Sequence, residues 1–288
     1  MSDPLISASA AGKFKLAGEV DITRLGYGAM RITGPGIWGP QDNPAEALRV
    51  LQSLPEFGID FVDTADSYGP EVSEQLIREA LHPYKNVIVA TKAGLRRPGP
   101  DQWQPDGRPE YLRERAQRSL KNLGVEQISL WQLHRVDPAV PADEQFDAVN
   151  ALQKEGLVRF VGLSEVSVEQ IKAASKHFKV ATVQNRYNLF DRQSESVLEY
   201  CEANDIGFIP WYPLAAGSIG ESSTTLGEVA RNHGASPMQI AIAWLLRKSH
   251  VMLPIPGTSN RAHLRANVSA ANIKLSNDEM NRLNAFAS

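Results

Sequence analysis

The chain of 288 residues is 42% apolar and 22% charged, enough to fill a sizeable core and unlike a compositionally disordered chain. Its net charge of −3 argues against nucleic acid or an anionic membrane surface as the principal partner, since both call for a basic face. One cysteine, Cys201, excludes an intrachain disulfide and every cysteine-rich metal site. The opening MSDPLISASAAG has neither the basic nor the apolar region of a secretory signal, so residues 1–12 read as a flexible N-terminus ahead of one domain over 13–288. The longest unbroken apolar run, Ile240 to Leu246, falls far short of the ~20 residues a membrane span needs. A cytoplasmic protein is expected.

In chain order, KFKLAGEVDIT reads as a hairpin turning at Ala17-Gly18 and covering the bottom of the domain. Short apolar runs then alternate with helical segments. The runs are Leu25–Gly28, Phe61–Asp63, Val87–Lys92, Ile128–His134, Phe160–Ser164, Ala181–Asn185, Gly207–Trp211 and Val251–Pro256, eight in all. Runs such as NVIVATK and ISLWQL are apolar at consecutive positions, as in strands buried on both faces. Among the helices, Pro109 fits a first position, with Leu112, Ala116 and Leu120 on one stripe and Gly124 as the stop. Capping boxes at Ser236–Gln239 and Ser276–Glu279 open two more, the second before Met280, Leu283 and Phe286. The alternation predicts a single (β/α)₈ barrel with an N-terminal β-hairpin and additional C-terminal helices.

A barrel carries its active site at the C-terminal ends of its strands, so the residues that end each run are the informative ones. Asp63 ends the second and leads to Tyr68; Lys92 ends the third and His134 the fourth. Ser164-Glu165, Gln184-Asn185 and Trp211 end the next three, and Gly257-Thr258 follow the eighth. Each has an ordinary structural reading alone: Asp as a turn former, Lys as a solvated strand end, His as a packing residue. Together, a phenol, an ammonium, a carboxylate and an imidazole on one rim suit proton donation to a carbonyl oxygen. The ammonium favours the phenolate and lowers the phenol's pKa, and the carboxylate orients the ammonium.

The order GIDFVDTADSYG, SEQLIREAL, VATK, WQLHRVD, GLVRFVGLSE, VQNRYN, PWYPLAAG and PIPGTSN resembles the aldo-keto reductases from about Arg24 to Asn267. The resemblance implies a catalytic tetrad of Asp63, Tyr68, Lys92 and His134 and an NADPH cofactor, with NADH as the alternative. It implies cofactor contacts from Gly28, Ala29, Met30, Asp63, Ser164, Gln184, Trp211, Leu214, Gly217, Gly257, Thr258 and Asn267. Trp38, Tyr68 and His134 are the expected substrate contacts. Glu165 stands where the family has Asn, and Ser259-Asn260 stand where a basic residue is common, leaving Arg261, His263 and Arg265 to compensate. The phrases RLGYGAMRITGPGIWGP and IPGTSNRAHLRAN resemble bacterial pyridoxal reductases in particular.

Gly34-Pro35-Gly36-Ile37-Trp38-Gly39 satisfies G-x-G-x-x-G, but Pro35 removes a backbone N–H and Pro40 falls where a helix would be running. A loop over the mouth, with Trp38 toward substrate, is the better reading. No metal motif occurs, and no feature of the chain sets an oligomeric state. The function expected is reduction of a small-molecule carbonyl, pyridoxal among the candidates. The alternatives are a broad aldehyde reductase, a non-catalytic regulatory subunit on the same barrel, and a lyase with Lys92 as a Schiff-base lysine.

Overall fold

The computed structural model describes residues 6–211 and 224–285. Strands β1 (Lys13–Leu16) and β2 (Val20–Thr23) form the expected antiparallel hairpin, Leu16 opposite Val20. Ala17 and Gly18 open the three-residue connection at positive φ, 52° and 78°, and Glu19 N closes it by donating to Leu16 O at 2.9 Å. Phe14 and Leu16 point inward, and a Cβ at Gly207 would come within 3.0 Å of the Phe14 ring. The hairpin therefore plugs the end of the domain at which the sheet strands begin. Residues 8–11, placed by the sequence in a flexible arm, instead form a 3₁₀ turn with Ala8 fully buried. Burial of small apolar side chains there outweighs the entropy that fraying would recover.

Seven strands make one parallel sheet: β3 (Tyr27–Gly28), β4 (Phe61–Asp63), β5 (Ile88–Ala93), β8 (Ile128–Leu133), β9 (Val158–Ser164), β10 (Val180–Arg186) and β11 (Gly207–Trp211). They are ordered as in the chain. A short antiparallel pair, β6 (Leu95–Arg96) and β7 (Gln104–Pro105), stands in the connection after β5. Helices α1 (Pro44–Ser53), α2 (Val72–Leu81), α3 (Pro109–Leu123), α4 (Ala142–Lys154), α5 (Val168–Ala174) and α6 (Glu195–Ala203) join successive sheet strands. Four more follow: α7 (Thr224–Asn232), α8 (Pro237–Lys248), α9 (Arg261–Ser269) and α10 (Asn277–Asn284).

The eighth expected strand, 251–256, is not one. It makes a single parallel bridge, Met252 with Phe208, because Pro254 and Pro256 have no N–H to donate to a ladder. Its backbone is nonetheless bonded to both edges of the sheet. Phe208 N donates to Val251 O and Leu253 N to Phe208 O, both at 2.8 Å, while Gly26 N donates to Pro254 O at 3.0 Å.

The strands are buried on both faces, with Leu130, Trp131 and Leu133 of β8 fully inaccessible, which accounts for their continuous apolar runs. Both expected capping boxes are present, Ser236 with Gln239 and Ser276 with Glu279, and Gly124 stops α3 at φ 69°. No helix among the described residues is long and apolar enough to cross a membrane.

Candidate active site

Parallel pairing brings the C-terminal ends of β4, β5 and β8 side by side, Asp63 opposite Ala90 and Lys92 opposite Gln132. Lys92 Nζ donates to Asp63 Oδ1 at 2.6 Å and to the Thr64 carbonyl at 2.7 Å. Asp63 Oδ2 accepts from Gln132 Nε2 at 3.0 Å and from Gln184 Nε2 at 2.9 Å. Lys92 is 0% exposed and Asp63 2%. Two charges in that setting are tolerated only because each is paired and hydrogen-bonded. The loop after β4 turns back over the pair and sets the Tyr68 ring 5.2 Å from Lys92 Nζ, with His134 edge-on to it at 6.0 Å.

Electrostatics assign the protonation states. Burial lowers the Lys92 pKa, but the Asp63 carboxylate and the Tyr68 hydroxyl outweigh it, so Lys92 is held charged, above the usual lysine value. Burial raises Tyr68, and the Lys92 charge offsets only part of that. The phenol thus lies above its ordinary value, against the sequence expectation of a lowered one, because the same enclosure that seals Lys92 also strips water from Tyr68. His134 is pushed well below the ordinary imidazole value by burial, then by the charges of Lys92, Arg135 and Arg97. It is neutral at physiological pH. Lys92 does not line the cleft and its pKa is raised, whereas a Schiff-base lysine needs an accessible amine with a lowered one.

Above this cluster opens a cleft of about 1320 Å³. It exceeds the ~300–1,000 Å³ of an ordinary ligand pocket, as a dinucleotide lying beside a substrate requires. Asp63, Tyr68, His134, Ser164, Gln184 and Trp211 line it, with Gly28, Met30, Gly257 and Thr258 along one end. At that end the chain packs backbone to backbone: a Cβ on Gly28 would lie 2.6 Å from Ile255 O, and one on Gly257 would strike Gly28 O. Tyr27 Oη fixes Thr258 by donating to its carbonyl at 2.5 Å. Ala29 and Asn267 are buried and do not line the cleft. Leu214 and Gly217 fall outside the described residues. Arg261, an expected compensating charge, is engaged by Glu56 at 2.7 Å.

Trp38 is not on the cleft wall. Positive φ at Gly36, Ile37 and Gly39 turns the loop so that the backbone of Trp38 pairs with Gly69 instead. The aromatic that faces the site is Trp103, 6.4 Å from both the Tyr68 and the His134 rings. It comes from a polar loop, DQWQPD, in which no periodicity marks it. Gln132 and Arg135 were also missed as site residues. Gln132 sits two positions before His134 on one strand, so period 2 places both on the same face. Arg135 donates to Ser164 Oγ at 3.2 Å. Glu165, at φ 55°, accepts from the Trp211 indole N–H and, at 2.7 Å, from Arg186 N.

A family model described as Aldo/keto reductase family matches residues 24–288. The chain belongs to this family and is an oxidoreductase of that class. It is 52% identical over 278 residues to an uncharacterized oxidoreductase of Schizosaccharomyces pombe, covering 96% of this chain and 90% of the relative. It is 37% identical to the pyridoxine 4-dehydrogenase of Escherichia coli, over 94% of this chain and 96% of that protein. Among solved structures, a glycerol dehydrogenase from Gluconobacter oxydans superposes with a TM-score of 0.87 at 25% identity, covering 96% of this chain and 95% of that one. An aldo-keto reductase from Klebsiella pneumoniae, solved with NADP and acetate, superposes with a TM-score of 0.80 at 21% identity, covering 95% and 94%.

Proposed function

We propose that this protein is an NADPH-dependent carbonyl reductase whose preferred substrates are aromatic aldehydes of the pyridoxal type. The observation that carries the reading is the sealed Lys92–Asp63 pair directly behind the Tyr68 ring, with neutral His134 beside it. In this reading the segment 251–256 acts as the eighth stave of a closed (β/α)₈ barrel. Ser164 and Gln184 hold the nicotinamide carboxamide, Trp211 covers the ring face, and Gly28, Met30, Gly257 and Thr258 take the remainder of the dinucleotide. When bound, NADPH supplies hydride to the carbonyl carbon.

The residues of the chain do the rest. Tyr68 gives its phenolic proton to the carbonyl oxygen as charge develops there, and Lys92 stabilises the phenolate left behind. Asp63 keeps Lys92 charged and aimed. Neutral His134 retains one N–H, which donates to the carbonyl oxygen and turns its carbon toward the cofactor. The pyridoxine 4-dehydrogenase relative supports an aromatic substrate, as do the rings of Trp103, Tyr68 and His134 around the carbonyl position.

The test is NADPH oxidation with pyridoxal, benzaldehyde, a pyridine aldehyde lacking the 3-hydroxyl, and propanal. A site that hydrogen-bonds the ring hydroxyl rejects analogues without it by orders of magnitude more than an apolar pocket rejects a missing methylene. A preference for pyridoxal of about a hundredfold or more supports the specific reading. Equal kcat/KM across the panel identifies a generalist, and oxidation with none of them refutes the reductase assignment.

A further inference from the structure

Outside the catalytic cluster, one side chain ties together three segments at the rim of the cleft. Arg97 follows β6 and is half-buried. Its guanidinium has five N–H donors. Nε donates to Gln102 O at 2.9 Å; Nη1 donates to Ile37 O at 2.9 Å and Ser67 O at 2.8 Å; Nη2 donates to Gly36 O at 2.7 Å and Gly99 O at 3.5 Å. All five acceptors are main-chain carbonyls. They belong to three separate segments: the 34–39 loop after β3, the loop that carries Tyr68, and the β6–β7 connection. The flat face of the same guanidinium lies 3.7 Å from the centroid of the Trp103 ring, and Trp103 in turn borders Tyr68 and His134.

We infer that Arg97 is a positioning residue that sets substrate specificity: its fork locks the three rim segments together and its face fixes Trp103 as the aromatic wall over the carbonyl position. This deepens the proposed function and rests on it. Arg97 does not touch the reacting atoms; it acts through Trp103 and through the carbonyl of Ser67, the residue before Tyr68. The role needs a planar cation. A lysine has three donors on one atom and no face to stack, so it cannot reach three loops and hold an indole at once. With Trp103 held edge-on to Tyr68 and His134, an aromatic aldehyde finds a preformed ring contact that a short aliphatic aldehyde cannot use.

The experiment compares the full-length wild type with Arg97→Lys and Trp103→Leu in two independent measurements. The first is hydrogen exchange, which does not depend on turnover. The amides of Gly39 (to Gly69 O, 2.8 Å), Gly69 (to Ile37 O, 3.2 Å) and Asp101 (to Gly36 O, 3.0 Å) report the clamp. Arg97→Lys should speed their exchange about tenfold, as a local opening, while the β8 amides keep their protection. The second is the ratio of kcat/KM for benzaldehyde to that for propanal. It should fall about three- to tenfold in Arg97→Lys, carried by KM, the scale of one aromatic ring pair. Trp103→Leu should reproduce the fall in ratio and leave exchange at Gly39 and Gly69 unchanged. Unchanged exchange in Arg97→Lys overturns the clamp, and faster exchange with an unchanged ratio overturns the specificity role. A wild type that oxidises NADPH with neither of these aldehydes nor pyridoxal refutes the reductase reading, and the exchange arm still decides the clamp.

Discussion

The strand-tip centre around Asp63 and the ionic cluster around Asp66 share one loop and are equally enclosed, the two residues being 2% and 1% exposed. Their surroundings differ in how many donors answer the carboxylate. Asp63 receives Lys92, Gln132 and Gln184 on its two oxygens. Asp66 Oδ2 receives Arg115 Nε at 2.7 Å, while its Oδ1 is buried with no hydrogen-bond partner among the described residues. Burial raises the Asp66 pKa to about 7, against the opposing pull of Arg115. Both sites are equally dry, but at Asp66 the carboxylates of Glu74 and Glu71 add to the effect of burial, whereas Asp63 is answered by an ammonium and two amide donors. At Asp63 those donors fix an ion pair beside the phenol. At Asp66 the surroundings leave a carboxyl that titrates near neutrality, next to a second cavity of about 270 Å³ bordered by Ser67, Tyr111 and Arg115.

The comparison breaks most readily at Lys92. Lys92→Met strands the Asp63 carboxylate in the interior, and removing one partner of a buried pair costs about 3–5 kcal/mol. Urea unfolding of the cofactor-free protein should register that loss, and Lys92→Met/Asp63→Asn should recover much of it. A cost of about 0–1 kcal/mol, as for a surface pair, would mean that the pair is not the buried one described.

Asp66 gives an effect of opposite sign. Its folded pKa lies above that of an unfolded aspartate, so the native state binds the extra proton, and stability falls as pH rises from about 4 to about 7 before levelling off. Asp66→Asn should remove that downward contribution from the stability–pH profile, leaving the variant at a relative advantage above pH 7. A profile identical to the wild type between pH 4 and 8 would show that Asp66 is ionised throughout.

A smaller effect sharpens the picture at the cofactor side. Glu165→Ala removes the acceptor that anchors the Trp211 indole, worth about 1 kcal/mol as a single hydrogen bond. NADPH titration followed by tryptophan fluorescence should show Kd raised about fivefold, and Glu165→Gln, which keeps an acceptor oxygen, should stay close to the wild type. Equal affinities for all three proteins would detach Glu165 from cofactor binding.

What could be read from the sequence divides along the same physical line. Asp63, Lys92 and His134 were legible because each ends a continuous apolar run, where a polar residue has no packing reason to be. The parallel sheet and the capped helices were legible from periodicity and from Pro109, Ser236 and Ser276. The strand at 251–256 was overread, since its apolar composition outweighed two prolines that cannot join a ladder. Trp38 was read toward substrate from its place in the loop over the mouth, and Trp103 carried no mark; the positive φ of Ile37 and the reach of Arg97 across three loops belong to tertiary structure. Asp66, in the same DTADSYG phrase as Asp63, shows that the phrase marks the place and not the charge state.

The most direct test of the account is the turnover of Tyr68→Phe with saturating NADPH and an aromatic aldehyde. The substitution removes one oxygen from a ring that stays packed against Trp103 and His134. Loss of a general acid should lower kcat by about 10²–10⁴-fold while the NADPH Kd from fluorescence titration is kept. A variant with wild-type kcat would contradict the claim that this phenol, backed by Lys92 and Asp63, delivers the proton.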